Sequence, residues 1–160
     1  MSQTRKKKSP LTPHKYYRGL TRKQAMKRQK EIKKFGAKDT SDPKAYVGFQ
    51  TDVGVKTKPS SYTKQWAALF PDVKSLKDRS KVTGIPLPLL QESYNRGMAA
   101  WRTGHRPGAT QQQWGYARVS SLSTCGKTYY TTDSDLVRKA KKQSRKAKKW
   151  FSRCKALNKG

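Results

Sequence analysis

Chemistry, if the chain performs any, would centre on His105 and Arg106, in the run Thr103-Gly104-His105-Arg106-Pro107-Gly108 between Trp101 and the pair Trp114 and Tyr116. Histidine is the side chain best suited to proton transfer near neutral pH. A general acid or base there would also need a nucleophile and an orienting carboxylate. Glu92 is the only acidic residue between Asp78 and Asp133, and a metal-dependent hydrolase would need several carboxylates. The run is therefore read as a structural turn: Gly104, Pro107 and Gly108 shape it, while His105 and Arg106 hydrogen-bond across it. Cys125, Cys154, His14 and His105 lack the spacing of a zinc site, and two cysteines are too few for a disulfide framework. They read as two independent thiols. No catalytic residue, metal or cofactor is expected.

The residue types present in quantity do a different chemistry. The 160 residues include 38 Lys and Arg against 9 Asp and Glu, a formal net charge of +29. Self-repulsion on this scale is relieved on a polyanion, whether nucleic acid, an anionic membrane or an acidic protein surface. The charge is segregated: 13 basic and 1 acidic residue in 1–35, 14 and 8 in 36–135, and 11 and none in 136–160. The candidate polyanion-binding or partner-binding residues follow from it. They are Arg5, Lys6, Lys7 and Lys8 in the first run, Arg22, Lys23, Lys27 and Arg28 in the next, and Arg138, Lys139, Lys142, Arg145, Lys146 and Lys149 near the carboxy terminus.

Only 32% of the residues are hydrophobic, below the roughly 45–50% of an ordinary domain, so the core must be small. No apolar run of about 18 residues could span a membrane, and the amino terminus lacks a secretory leader. The expected class is mainly α. Residues 1–20 read as a solvated basic tail. Thr21 with Gln24 forms a capping box, and Gly36 is a natural stop, so 21–36 reads as a helix with a thin apolar side of Ala25, Met26, Ile32 and Phe35. Residues 37–59, punctuated by Asp42-Pro43, Gly48, Gly54 and Lys58-Pro59, read as an extended linker whose Tyr46, Val47 and Phe49 dock on a neighbour.

Residues 60–135 read as a small helical domain. Tyr62, Trp66, Leu69 and Phe70 share one helix side, Pro71 ends that helix, and Asp72 is placed to cap the next. After Gly84-Ile85-Pro86, a helix over 87–102 carries the stripe Leu90, Tyr94, Met98 and Trp101. Gln111 to Leu122 reads as another. The helices flanking Gly84, within 72–102, resemble a DNA-binding helix-turn-helix, although Arg79 and Ser80 stand where that motif wants an apolar residue and an alanine.

Residues 136–160 read as one basic amphipathic helix, capped by Asp133 or Asp135. Leu136, Ala140, Ala147, Phe151 and Cys154 line its narrow apolar edge, and ten Lys and Arg occupy Leu136 to Leu157. Such a helix lies on phosphates, lies on an anionic membrane, or docks its edge on a protein. The edge is narrow for a membrane. In the protein-docking case the anchors are Trp150, Phe151 and Leu157, because buried aromatic side chains dominate interface energies.

Tyr94-Asn95-Arg96-Gly97-Met98-Ala99-Ala100-Trp101-Arg102-Thr103-Gly104-His105-Arg106-Pro107-Gly108, followed by Trp114-Gly115-Tyr116-Ala117-Arg118-Val119, resembles a family of small basic proteins encoded by tailed marine phages and large double-stranded DNA viruses. The likeness runs over about 15–136 and carries no activity. It implies a viral source. Together with the charge, it leads to the expectation of a non-enzymatic virion protein, a minor or internal capsid-associated component cementing acidic faces of major and other minor capsid proteins. The alternative is a viral DNA-binding protein.

Overall fold

The computed structural model describes residues 14–157, without the side chains of residue 14 and of residues 155–157. It is mainly helical, with no strand among the described residues. The chain divides into two compact units, Met1–Thr57 with Arg102–Ala109, and Lys58–Trp101 with Thr110–Gly160.

In the first unit, α1 (Arg22–Gly36) starts at the expected capping box: the Thr21 hydroxyl accepts from the Gln24 amide and the Gln24 side chain accepts from the Thr21 amide. Arg28, Ile32 and Phe35, at helical spacing, are its buried positions. The segment read as an extended linker instead folds back. Short 3-10 turns at Pro43–Tyr46 and Gln50–Asp52 lie against α1. Phe49 is 3% exposed and stacks on Phe35 with centroids 5.2 Å apart, so it fills its own unit and not a pocket on a neighbour. Val47 stays exposed, and the Tyr46 hydroxyl donates to the Thr40 carbonyl. Two apolar residues separated by turns carry no periodicity, which is why the sequence pattern missed them.

The second unit contains α2 (Ser61–Leu69), α3 (Leu76–Thr83), α4 (Leu87–Trp101), α5 (Gln111–Ser123), α6 (Lys127–Tyr130), α7 (Ser134–Gln143) and α8 (Arg145–Leu157). Ser60 caps α2, and Ser75, not Asp72, caps α3. Thr110 and Gln113 form a second capping box on α5. The α4–α5 pair is the most intimate because both helices offer a glycine. A Cβ on Gly97 would lie 2.7 Å from the Trp114 carbonyl oxygen, and one on Gly115 would enter the Tyr94 ring. The core combines Trp66, Ile85, Leu89, Leu90, Val119 and Leu122 with residues of α7 and α8.

Three expectations for the carboxy-terminal region change. The single helix is broken at Ser144, whose backbone is extended (φ −143°, ψ 120°) and whose hydroxyl accepts from the Ala147 amide. The apolar edge is not free: Leu136, Val137 and Ala140 of α7 and Ala147, Trp150, Phe151 and Cys154 of α8 are buried in the unit's own core. Trp150 (9% exposed) and Phe151 (0%) are therefore core residues, not anchors for a partner, and Trp150 Nε1 donates to the Ser123 carbonyl at 2.9 Å. The Leu157 side chain lies outside the described residues. Finally, the two cysteines are joined: the Cys125–Cys154 disulfide ties the α5–α6 turn to α8, with Cα atoms 5.2 Å apart. No described helix is long and apolar enough to cross a membrane.

Candidate nucleic-acid interface

Where the few carboxylates go determines which cations are left over. In the first unit Asp52 takes three donors: Arg28 Nη1 at 2.9 Å, His105 Nε2 at 2.6 Å and the Gly108 amide at 2.9 Å. Arg28 also donates to Thr51 Oγ1 (2.7 Å) and to the His105 carbonyl (2.6 Å), while Glu31 accepts from the Gln50 amide and from the Thr51 hydroxyl. Burial alone would raise the Asp52 pKa. The His105 hydrogen bond and charge, the Gly108 amide and Arg28 outweigh it and hold the carboxyl below its ordinary value.

This network corrects two expectations. Arg28, grouped with the polyanion-binding side chains of α1, is 0% exposed, and both of its terminal nitrogens are spent on Thr51, Asp52 and the His105 carbonyl. His105 does more than bridge its own turn. It meets a carboxylate 53 residues away, which no local pattern could announce. The distance is that of an acid–base pair, yet the imidazole is 0% exposed and packs on Phe49, so the geometry makes it a strut. Gly104 and Pro107 are buried beside it and Arg106 is exposed. Gly108 adopts φ +85°, and a Cβ there would run into the Val55 carbonyl.

The second unit repeats the economy with other partners. Asp133 is fully buried and accepts from Arg118 (2.8 Å), Arg96 (3.2 Å) and the Ser93 hydroxyl (2.9 Å). Arg96 also pairs with Asp135 at 2.9 Å and with Glu92 at 3.1 Å. The Asp135 hydrogen bond, helped by Glu92 and Asp133, raises the Arg96 pKa, and the same contact lowers that of Asp135. Arg79 is buried without a carboxylate. It lies over the rings of Trp66 and Tyr116 and donates to Ser120 Oγ and the Lys74 carbonyl, and burial pushes its pKa down to about 10.

Every ion pair among the described residues thus uses an arginine or His105, and none uses a lysine. The uncompensated charge gathers on the outward side of α7 and α8. Arg138, Lys139 and Lys142 of α7 are exposed, as are Arg145, Lys146, Lys148, Lys149 and Arg153 of α8. From residue 136 onward the sequence has no carboxylate side chain. Lys146 packs beside Gly84 and donates to the carbonyl of Lys81, bringing α3, whose Lys77 and Lys81 are exposed, alongside α8. Arg153 rests on the Trp150 ring at 4.6 Å. The sequence pattern did not single out Lys148 and Arg153, although the alternation of buried and exposed positions along α8 would have found both. On α1, Arg22, Lys23 and Lys27 are exposed, and Lys27 Nζ donates to Gln50 Oε1 at 2.6 Å. Arg5, Lys6, Lys7 and Lys8 lie outside the described residues.

Residues 13–139 match a family described as a family of unknown function, DUF5824, and the chain belongs to that family. The match covers both units up to the first turns of α7 and leaves α8 outside. No curated protein and no solved structure matches the chain.

Proposed function

We propose that this member of the DUF5824 family is a non-enzymatic nucleic-acid-binding protein of a virus particle, and that the outward side of α7–α8 is its phosphate-contacting face. One observation carries the reading. The described apolar side chains of these two helices are consumed inside the second unit, and what remains outside among the described residues is an array rich in Lys and Arg without exposed carboxylates. A stable protein–protein interface draws its energy from buried aromatic and aliphatic anchors, with rim lysines contributing little. Phosphate binding needs no such anchors, since it is driven by cation contacts that release condensed counterions. The spent anchors therefore favour the genome over acidic capsid protein as the partner. α4, the reading helix of a helix-turn-helix, is the weaker candidate because its Arg96 is committed to Glu92, Asp133 and Asp135. The viral setting is supported by the resemblance of the Gly-His-Arg-Pro-Gly and Trp-Gly-x-Ala-Arg-Val elements.

The test is a quadruple variant, Arg138→Gln, Lys142→Gln, Arg145→Gln and Lys149→Gln, titrated against duplex DNA by fluorescence anisotropy and melted in parallel. All four side chains are exposed, so melting should move little. Affinity should drop by about 100-fold or more at moderate salt. Wild-type affinity in the variant would remove the proposal. Comparison of purified particles with and without genome locates the protein: it should be lost with the DNA, whereas full retention in empty particles would return the role to capsid cementing.

A further inference from the structure

From the same face we infer a choice of ligand: α7–α8 takes double-stranded nucleic acid by its backbone, without regard to sequence, in preference to a single strand. The inference rests on the phosphate-binding reading above. Proteins that grip single strands combine a basic track with exposed aromatic rings on which successive unpaired bases stack. The described outward positions of α7 and α8 have none. The aromatic side chains of α8, Trp150 and Phe151, are interior, and Tyr129, which meets Lys141, is buried as well. Tyr130 of α6 is exposed beside α8, where its hydroxyl donates to the Cys154 carbonyl and its ring meets Tyr129 edge-on, so a single ring borders the face and not a row of them.

Reading base edges needs side chains held in bidentate register with them, above all Arg on guanine and Asn or Gln on adenine. Besides Lys and Arg, the exposed side chains on α7 and on the described part of α8 are Gln143 and Ser152. Ser152 donates back to the Lys149 carbonyl and Arg153 rests on the Trp150 ring, which leaves Gln143, Arg138 and Arg145 as isolated candidate readers among five exposed lysines. A face dominated in this way by lysines positions a backbone and specifies little.

The scaffold is also fixed in a manner that suits a stiff ligand. Lys146, Lys149 and Arg153 recur at i, i+3 and i+7 on one side of α8, and helix neighbours three or four apart stand about 5–6 Å from each other. The helix carrying them is pinned at both ends, by the disulfide at Cys154 and by the Lys146 contact at Gly84. A duplex presents one phosphate charge per roughly 1.7 Å of axis on a rigid rod, so such an array meets several phosphates without ordering the ligand first. A flexible strand would have to be ordered, and one bordering ring provides no row of stacking sites to offset that cost.

The experiment compares full-length protein binding to two duplexes of unrelated sequence and to oligo-thymidylate of the same length, by anisotropy in one buffer. The two duplexes should bind within about twofold of each other, and both should bind about tenfold tighter than the single strand. The quadruple glutamine variant should lose that preference. Equal or tighter binding of the single strand, a tenfold difference between duplexes, or a preference that survives in the variant would overturn the inference while leaving nucleic-acid binding in place. Binding of none of the three would instead sink the functional reading itself.

Discussion

The two units are both strongly basic, yet they are held together by opposite means. The first is organised around a polar centre in which Arg28, Asp52, His105 and Thr51 hydrogen-bond to one another, with a small apolar contact of Ile32, Phe35 and Phe49 beside it. The second has an extended apolar core, closed by a disulfide, and gathers its ion pairs at Asp133 and Asp135, with Arg79 buried apart from them against Trp66 and Tyr116. The difference teaches how a chain with 38 cations and 9 acids folds at all. The ion-paired carboxylates, Asp52, Glu92, Asp133 and Asp135, go to arginines, whose planar fork makes several bonds at once, and to His105, while no lysine among the described residues makes an ion pair.

If that contrast is right, the two units should break at different residues. Phe151→Ala, removing a fully buried ring from the second unit, should cost about 4 kcal/mol there, read as lost amide protection in α5 and α8 by hydrogen exchange. Exchange rates unchanged by the substitution would contradict the core assignment. For the same reason, truncation after Asp135 would take Leu136 and Phe151 out of the core and test folding, not ligand contact.

In the first unit, Asp52→Ala should cost about 3.5 kcal/mol by leaving Arg28 buried without its carboxylate. The pH dependence follows in sign. The folded carboxyl is held below the ordinary value of 3.8, so its contribution is complete above that pH and is lost as the pH falls through the depressed folded value. Acid exchange protection of α1 should therefore lose this component in the variant; identical acid profiles would show that Asp52 is not the pivot.

Reduction of Cys125–Cys154, or replacing both by Ser, should cost the second unit about 3 kcal/mol, since the bridge closes a separation of 29 residues. A melting curve indifferent to reductant would remove the disulfide from the account. Gly108→Ala should cost the first unit about 1–2 kcal/mol, from its positive φ and the Val55 carbonyl. An Ala variant as stable as wild type would show that the turn relaxes.

Local signals were legible from the residues alone. The Thr21–Gln24 capping box, the opening of the helical region at residue 60, the break between helices at Gly84 and the span of α5 all stand where the sequence places them. What was missed depends on pairing across the chain. Nothing near Arg28 distinguishes it from its neighbours Lys27 and Lys30, because its burial is decided by Asp52 and His105. The break at Ser144 was hidden because Arg, Lys and Ala on either side are good helix formers. Trp150 and Phe151 were correctly read as lying on one apolar edge, but an edge does not say whether its partner is another molecule or the same chain.

The central claim is that the lysines and arginines of α7–α8, having no carboxylate at home, are there for phosphate. The most direct measurement is the salt dependence of duplex DNA binding by wild type and by the Arg138, Lys142, Arg145 and Lys149 to Gln variant. For each phosphate that the variant no longer neutralises, the slope of log affinity against log salt should flatten by about 0.9, so up to about 3.6 in all, at unchanged melting temperature. A slope that stays the same in a folded variant would contradict the account.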